Sequence, residues 1–152
     1  MDARILQVAS AVKDLIYNEW ADKTASDSVN VGLYVPNIDR KSMTGRKVYV
    51  FPLGYSQVEV MNRAEDKWEY EIGVVIVEKC TDAGEPSETW VNTRINWVQD
   101  SIVDRITNHR DEAVMEDLTP ISFEVDVFDP GELSAKVFYS TVSVTFHKVE
   151  QI

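Results

Sequence analysis

Acidic side chains alternate along two stretches of the chain, and they are the first candidates for chemistry. Glu69 and Glu71 stand two residues apart, as do Glu124 and Asp126. In a β-strand this spacing places both carboxylates of a pair on one face, where they could bind a divalent cation. The solvated face of an ordinary strand has the same spacing and is the simpler interpretation. A metal-dependent enzyme that uses these carboxylates is therefore kept only as an alternative.

The other reactive residue types give no catalytic arrangement. His109 and His147 stand near a predicted helix end and near the C-terminus, where surface or capping roles are more common. Cys80 is the one cysteine, has no activating neighbour in sequence, and is interpreted as structural. Neither a glycine-rich phosphate loop nor a Gly-x-Ser-x-Gly motif occurs. The sequence predicts no enzyme, no cofactor and no bound metal.

The composition indicates one acidic globular domain over residues 1–152. The formal charge is −11, whereas nucleic-acid binding requires a basic surface to neutralise phosphates. A solvated acidic surface explains this charge most simply, although it would also repel DNA that passes nearby. No apolar run reaches the roughly 18 residues of a membrane span, and the N-terminus does not resemble a signal peptide. We expect a soluble protein that is made inside a cell.

Two amphipathic helices are predicted on either side of the central strands. The first covers Asp2–Trp20, with Asp2 as its cap, and the second runs from about Glu88 to Thr107, with Pro86 or Ser87 in the first-turn positions. Each carries one apolar stripe at three- and four-residue spacing, which predicts a helix lying on a sheet. The stripes are Ile5, Val8, Ala9, Val12, Leu15, Ile16 and Trp20, and Val91, Ile95, Val98, Ile102 and Ile106.

Alternating apolar residues predict the strands. These are Val29–Val35, Val48–Phe51, Val58–Val60, Lys67–Glu78, Ile121–Val127 and Ala135–Lys148. Pro52–Tyr55 predicts a break, and Asp129-Pro130-Gly131 predicts a tight turn. The order of elements predicts an α+β fold: a two-layer sandwich with a mostly antiparallel sheet and two helices packed on one face.

The longest predicted strand changes character along its length. Trp68, Tyr70 and Ile72 alternate with charged residues, whereas both faces are apolar from Gly73 to Val77. This pattern predicts a strand that enters a region covered on both faces. For the strand Ile121–Val127, the alternation predicts that Ile121, Phe123, Val125 and Val127 point inward.

A loop of about ten residues, 36–46, separates the first two predicted strands. It contains Arg40, Lys41 and Arg46, most of a local basic cluster in an acidic chain. Loops of this length often carry function, although an exposed hairpin tip is an equally good interpretation.

Three runs in the centre of the chain resemble a known family. They are Val48-Tyr49-Val50-Phe51-Pro52, Val58-Glu59-Val60-Met61-Asn62-Arg63, and the strand from Trp68 to Val77. A strand that ends in proline, an arginine before the long strand and an aromatic residue at its start resemble the phage neck and tail-completion proteins. These include the tail terminators and minor tail proteins of long-tailed phages. The order of elements is similar over nearly the whole chain.

The resemblance implies a structural virion protein of the tail or neck, made in the host cytoplasm. It implies a ring-forming subunit, commonly in six copies, that caps the tail tube and joins it to the head-tail connector or stopper protein. Arg63 would support the fold or a subunit contact, and the loop with Arg40, Lys41 and Arg46 would meet a partner. DNA would pass through an acidic lumen without specific binding. The alternative function is a small non-enzymatic adaptor that recruits a partner through loop 36–46.

Overall fold

A computed structural model of the protein describes residues 3–37, 42–60, 65–81, 86–108 and 117–151. Its strands are β1 (Ser28–Val31), β2 (Arg46–Val60), β3 (Glu65–Lys79), β4 (Thr119–Asp126) and β5 (Val137–Gln151). Its α-helices are α1 (Arg4–Glu19), α2 (Glu88–Val98), α3 (Asp104–Thr107) and α4 (Pro130–Ser134), and a π-helical segment, Gln99–Val103, joins α2 to α3. None of the described helices is long and apolar enough to cross a membrane.

The strands form one sheet in the order β1-β2-β3-β5-β4. β1 runs parallel to β2, and the other three pairs are antiparallel. Helices α1 and α2 pack with this sheet in one hydrophobic core. We call the side of the sheet that carries these helices the covered face, and the opposite side the open face. The predicted α+β fold with a mostly antiparallel sheet is confirmed.

The core lies between α1, the segment from α2 to α3, and the covered face. The α1 stripe is buried as predicted, from Ile5 to Ile16. Tyr70 and Ile72 from β3 are almost completely buried, as are Phe138 and Phe146 from β5. Because α1 begins at Arg4 with Ala3 at its N-cap position, the predicted cap Asp2 lies outside the described residues.

The second predicted helix is interrupted by the π-helical segment. Ser87 caps α2 by accepting a hydrogen bond from the Trp90 amide, and it stands one residue before the helix instead of in the predicted first turn. Val98, Ile102 and Ile106 are all buried, although their four-residue spacing exceeds the 3.6 residues of an α-helical turn. The wider π turn keeps these three residues facing the core. The helix ends at Thr107, and His109, for which a surface or capping role is predicted, lies outside the described residues.

β3 is covered on both faces at its C-terminal end, as the apolar run predicts. On the open face Val75 and Val77 are buried in a second, smaller cluster with Met43 and Val137. Partly buried residues from the segment after β1 and from neighbouring strands complete it: Val35, Tyr49, Phe51 and Tyr139. Beyond this cluster, the described part of the open face on β3 and β5 is mainly polar, although Val149 is exposed there.

Two predictions about the first strands and one about a turn are wrong. The first strand ends at Val31 instead of Val35, and Leu33 is exposed. β2 is continuous through the predicted break, because register shifts at Pro52/Gly54 and Gln57/Glu59 absorb the irregular residues within the pairing with β3. The predicted tight turn after Asp129 is instead the short helix α4, which Asp129 caps with its side chain.

β4 does not bury the residues that its alternation suggests. Phe123 is half-buried, but Ile121, Val125 and Val127 are exposed. Among the strands that the structure describes, β4 is the outermost on its side of the sheet and pairs with β5 alone. The helical layer covers this edge incompletely. Alternation identifies a strand, but it does not say whether another layer reaches the apolar face.

Candidate functional site

Glu78 pairs with two arginines at one end of the covered face. Its Oε1 accepts a hydrogen bond from Arg46 Nε at 2.7 Å. Its Oε2 accepts from Arg94 Nη2 at 2.7 Å and from Arg94 Nε at 2.9 Å. Arg46 is the first residue of β2, Glu78 stands near the end of β3, and Arg94 comes from α2. Because all three side chains are at most 20% exposed, this ion-pair cluster joins the sheet to the helical layer in a largely dry environment.

Tryptophan rings surround the same cluster. The Arg46 guanidinium lies 4.3 Å from the centre of the Trp97 ring, and Arg94 lies 4.0 Å from the centre of the Trp90 ring. Trp97 also packs against Trp20, which follows α1, with ring centres 4.9 Å apart. A guanidinium over an indole face is attracted by the ring quadrupole. Both helical segments are thereby held to the ion-pair cluster.

A polar cleft of about 420 Å³ opens beside the cluster. Its wall includes the turn that follows α1, in which Asp27 is the central acceptor. Asp27 Oδ1 accepts a hydrogen bond from the Arg46 amide at 2.7 Å, and Oδ2 accepts from the Thr24 amide at 2.8 Å. The Thr24 hydroxyl donates to Oδ2 as well. Asp27 thus fastens the turn to the start of β2.

These contacts lower the pKa of Asp27. Burial alone would raise the pKa, but the amides of Arg46 and Thr24, the Thr24 hydroxyl and the Arg46 charge all favour the carboxylate and outweigh burial. A carboxyl group whose pKa is lower in the folded state stabilises the fold above its unfolded-state pKa of about 3.9. That contribution is lost as the pH falls through the lower, folded-state pKa.

We expect the substitution Asp27→Asn to lower the free energy of unfolding by about 1–2 kcal/mol at pH 7, because it weakens charge-assisted hydrogen bonds. The difference from the wild type should shrink as the pH is lowered below about 3.9, because Asp27 of the unfolded wild-type chain takes up a proton there while the folded carboxylate is still charged. Urea unfolding of the variant and the wild type at pH 7, and at steps down to pH 3, measures the loss of stability and its dependence on pH. A difference that stays constant across this range would contradict the assigned role of the charge.

The open face carries carboxylates on neighbouring strands. Glu69 Oε1 lies 2.8 Å from His147 Nε2, and Glu71 accepts a hydrogen bond from the Ser143 hydroxyl at 2.9 Å. Glu124 and Asp126 lie exposed on the same face at β4, as the strand pairing with Ser143 and Thr141 requires. In the described residues, no group of three or more His, Cys, Asp or Glu side chains is arranged to hold a metal ion. The arrangement resembles a solvated acidic strand face.

The two edges of the sheet expose apolar side chains. Leu33 is 66% exposed and Tyr34 is 74% exposed where the chain leaves β1. At the opposite edge, Val125 and Val127 line a groove of about 150 Å³ between β4 and the α2 side, together with Ile95, Val98, Gln99 and Ser140. Exposed apolar surface of this kind commonly marks an interaction site.

Of the four predicted interface residues, the structure describes one. Arg46 lies in the ion-pair cluster, where its side chain stabilises the junction of β2, β3 and α2. Arg40, Lys41 and Arg63 lie outside the described residues.

The sequence analysis did not identify Glu78 and Arg94. The position of Glu78 in the sequence could have identified it. Glu78 continues the alternation of Val74 and Ile76 on the covered face, and a carboxylate buried on that face requires a partner of opposite charge. No protein-family model matches the chain, and no curated protein matches it.

Proposed function

We propose that this protein is a ring-forming structural subunit of a long-tailed phage, a tail terminator that caps the tail tube and joins it to the head connector. Its partners are further copies of the same chain, commonly six in a ring, the tail tube protein, and a connector or stopper protein. DNA passes through the lumen without specific binding. In this role the protein assembles with its partners and encloses a channel for DNA. Its functional residues would therefore lie on contact and channel surfaces and not in a catalytic site.

The observation that carries the proposal is the polar open face of the sheet. Glu69 and Glu71 project from β3 on this face, and Glu124 and Asp126 project from β4, with β5 between the two strands. In a chain with a net charge of −11, such a face repels the phosphates of DNA. A conduit benefits from this repulsion, because attraction to its wall would slow the passage of DNA.

The order of elements is consistent with the resemblance. An N-terminal helix, a long antiparallel pair, a second helix and a closing strand pair follow one another as the resemblance implies. β1 and β4 each have a strand neighbour on one side only within the described sheet. A subunit with two different open edges can repeat around a ring, since head-to-tail contacts use different surfaces on the two partners.

Labelling of intact particles tests the proposal. An antibody raised against the purified protein, coupled to gold, should mark the junction between head and tail in electron micrographs of the phage. Particles assembled without the protein should give separate heads and tails, because the joint is missing. A label on the fibres or the capsid shell, or no label on any particle, would contradict the proposed function.

The adaptor alternative is tested by substituting residues of loop 36–46 that do not belong to the ion-pair cluster of Arg46, Glu78 and Arg94. Substituting Arg40 and Lys41 by serine removes two charges of the loop and leaves the Arg46–Glu78 ion pair in place. If loop 36–46 is the whole binding surface, partner capture is lost while the self-association of the chain stays at the wild-type level. Loss of ring assembly in this variant would contradict the adaptor.

A further inference from the structure

Arg46 leaves most of its hydrogen-bonding capacity unused in the ion-pair cluster. A guanidinium group carries five N–H donors. Within the described part of the chain, the Arg46 side chain donates one hydrogen bond, from Nε to Glu78 Oε1. Arg94 differs, because its Nε and Nη2 donate to Glu78 and its Nη1 donates to the Trp90 carbonyl. The two terminal nitrogens of Arg46 therefore have no acceptor among the described residues.

The Arg46 side chain is held in place beside the polar cleft, whose wall it helps to form. Its guanidinium lies 4.3 Å from the centre of the Trp97 ring and 5.8 Å from the centre of the Trp20 ring. The hydrogen bond to Glu78 fixes its Nε, and 15% of the side chain remains exposed. Donors that are already fixed lose little conformational entropy when a ligand binds. The terminal N–H groups thus form a preorganised fork that matches a carboxylate.

The polar cleft has room for a small molecule. Its volume is about 420 Å³, and ligand pockets usually measure roughly 300–1,000 Å³. Four residues with hydroxyl groups line it as well: Thr24, Ser26, Thr44 and Thr81. Because a hydroxyl group both donates and accepts hydrogen bonds, these residues can bind polar groups of either kind. The lining therefore favours a hydrophilic ligand.

The charges around the cleft favour an anion with a single charge. Six charged side chains line the cleft or belong to the cluster beside it, three of each sign: Arg46, Lys79, Arg94, Asp22, Asp27 and Glu78. Because these charges balance, a carboxylate meets no net repulsion. A phosphate group carries about −1.5 to −2 charges at pH 7, and Asp22 and Asp27 oppose the additional charge.

From these observations we propose that the polar cleft binds a small hydrophilic molecule through its carboxylate group. The two oxygens of the carboxylate accept hydrogen bonds from Nη1 and Nη2 of Arg46, which is the bidentate geometry common to such pairs. A hydroxyl group on the same molecule bonds to the hydroxyl-bearing wall of the cleft. This binding is independent of ring assembly and of the phage role.

Titration of the full chain with small carboxylates, followed by proton–nitrogen NMR, tests the proposal. The probes are acetate and lactate, and chloride and inorganic phosphate serve as reference anions at constant ionic strength. The backbone amide signals of Gly45 and Arg46 and the Nε–H signal of Arg46 should shift saturably with both carboxylates. Lactate should bind more tightly than acetate, because it adds a hydroxyl group.

Three outcomes of this titration would count against the proposal. The absence of a saturable shift with either carboxylate would overturn it. Shifts of the same size with chloride would overturn it too, because they would show a response to any anion. Tighter binding of phosphate than of lactate would overturn the assigned class of ligand.

The variant Arg46→Lys tests the guanidinium fork. Lysine keeps the positive charge at the start of β2 and replaces the planar fork by a point charge. We expect the affinity for lactate to fall about tenfold or more, since the bidentate pair is lost. The spread of the amide signals shows whether the variant is folded. A folded variant that binds lactate as tightly as the wild type would contradict the role of Arg46.

A second pair of variants leaves the ion-pair cluster unchanged. Asp22 lines the cleft and is exposed, and Asp22→Asn removes a negative charge near the bound carboxylate. This variant should bind lactate about twofold to threefold more tightly. The matched control is Glu124→Gln, which removes one negative charge from the exposed part of β4 and should leave the affinity at the wild-type value. Equal affinities of these two variants would overturn the inference, even if Arg46→Lys does not fold.

Discussion

Replacing Glu78 by glutamine is expected to lower the free energy of unfolding by about 3 kcal/mol. The substitution keeps the size of the side chain and removes its charge, which leaves the guanidinium groups of Arg46 and Arg94 close together without a counter-charge. Glu78 is only 13% exposed in its side chain, so water compensates for little of this loss. Removing one partner of a largely buried ion pair is costly chiefly because the other charge stays buried.

The matched control is Glu71→Gln. Glu71 lies on the open face and bonds to the Ser143 hydroxyl, an interaction that glutamine can preserve through its own oxygen. We expect the free energy of unfolding of this variant to stay within about 0.5 kcal/mol of the wild type. Urea unfolding of both variants at pH 7 measures the difference. Equal stability of the two variants would show that the cluster does not hold the sheet to the helices.

Substituting one of the two arginines should lower the free energy of unfolding by less than substituting Glu78 does. Substituting Arg46 by methionine leaves Glu78 with the two hydrogen bonds from Arg94, so no buried charge is left without a partner. The loss should therefore be smaller than for Glu78→Gln. This asymmetry matters for function, because any variant that tests Arg46 as a partner contact also changes the fold. Arg40 and Lys41 are the better residues for that test.

The sequence was most informative where a pattern had one physical explanation. The α1 stripe and the doubly apolar end of β3 each require cover, and both are buried. The alternation in Ile121–Val127 was misleading, because it fits an edge strand with an incomplete cover as well as a buried one. Pro52 suggested a break, but the sequence does not show that a register shift can keep such a residue in a paired strand.

The candidate site was harder to predict than the fold. Arg46 was chosen as a loop cation because it follows Arg40 and Lys41 in sequence. Its true environment depends on Glu78, which is 32 residues away in the chain. Only the antiparallel register of β2 and β3 brings the two together, since it pairs Arg46 directly with Glu78. Without knowledge of that register, an arginine next to a basic loop is predicted to be exposed to solvent.

The backbone conformation of Gly45, just before Arg46, leads to the second large effect. Its φ is +72°, in the left-handed region that residues with a Cβ rarely adopt. A Cβ at this position would also collide with the backbone carbonyl of Ser26, in the turn that Asp27 fastens to β2. Gly45→Ala is therefore expected to lower the free energy of unfolding by about 3 kcal/mol, from backbone strain and the steric clash together.

Two further variants separate these causes. Gly54→Ala is the matched control, because a Cβ there meets no atom within 4 Å, and its stability should stay near that of the wild type. Asparagine tolerates the left-handed region better than alanine does, but it still carries a Cβ. Gly45→Asn should therefore remain clearly destabilised in urea unfolding, since the collision with the Ser26 carbonyl persists. A Gly45→Asn variant as stable as the wild type would show that backbone strain alone requires the glycine, and that the turn after α1 can move away from β2 without cost.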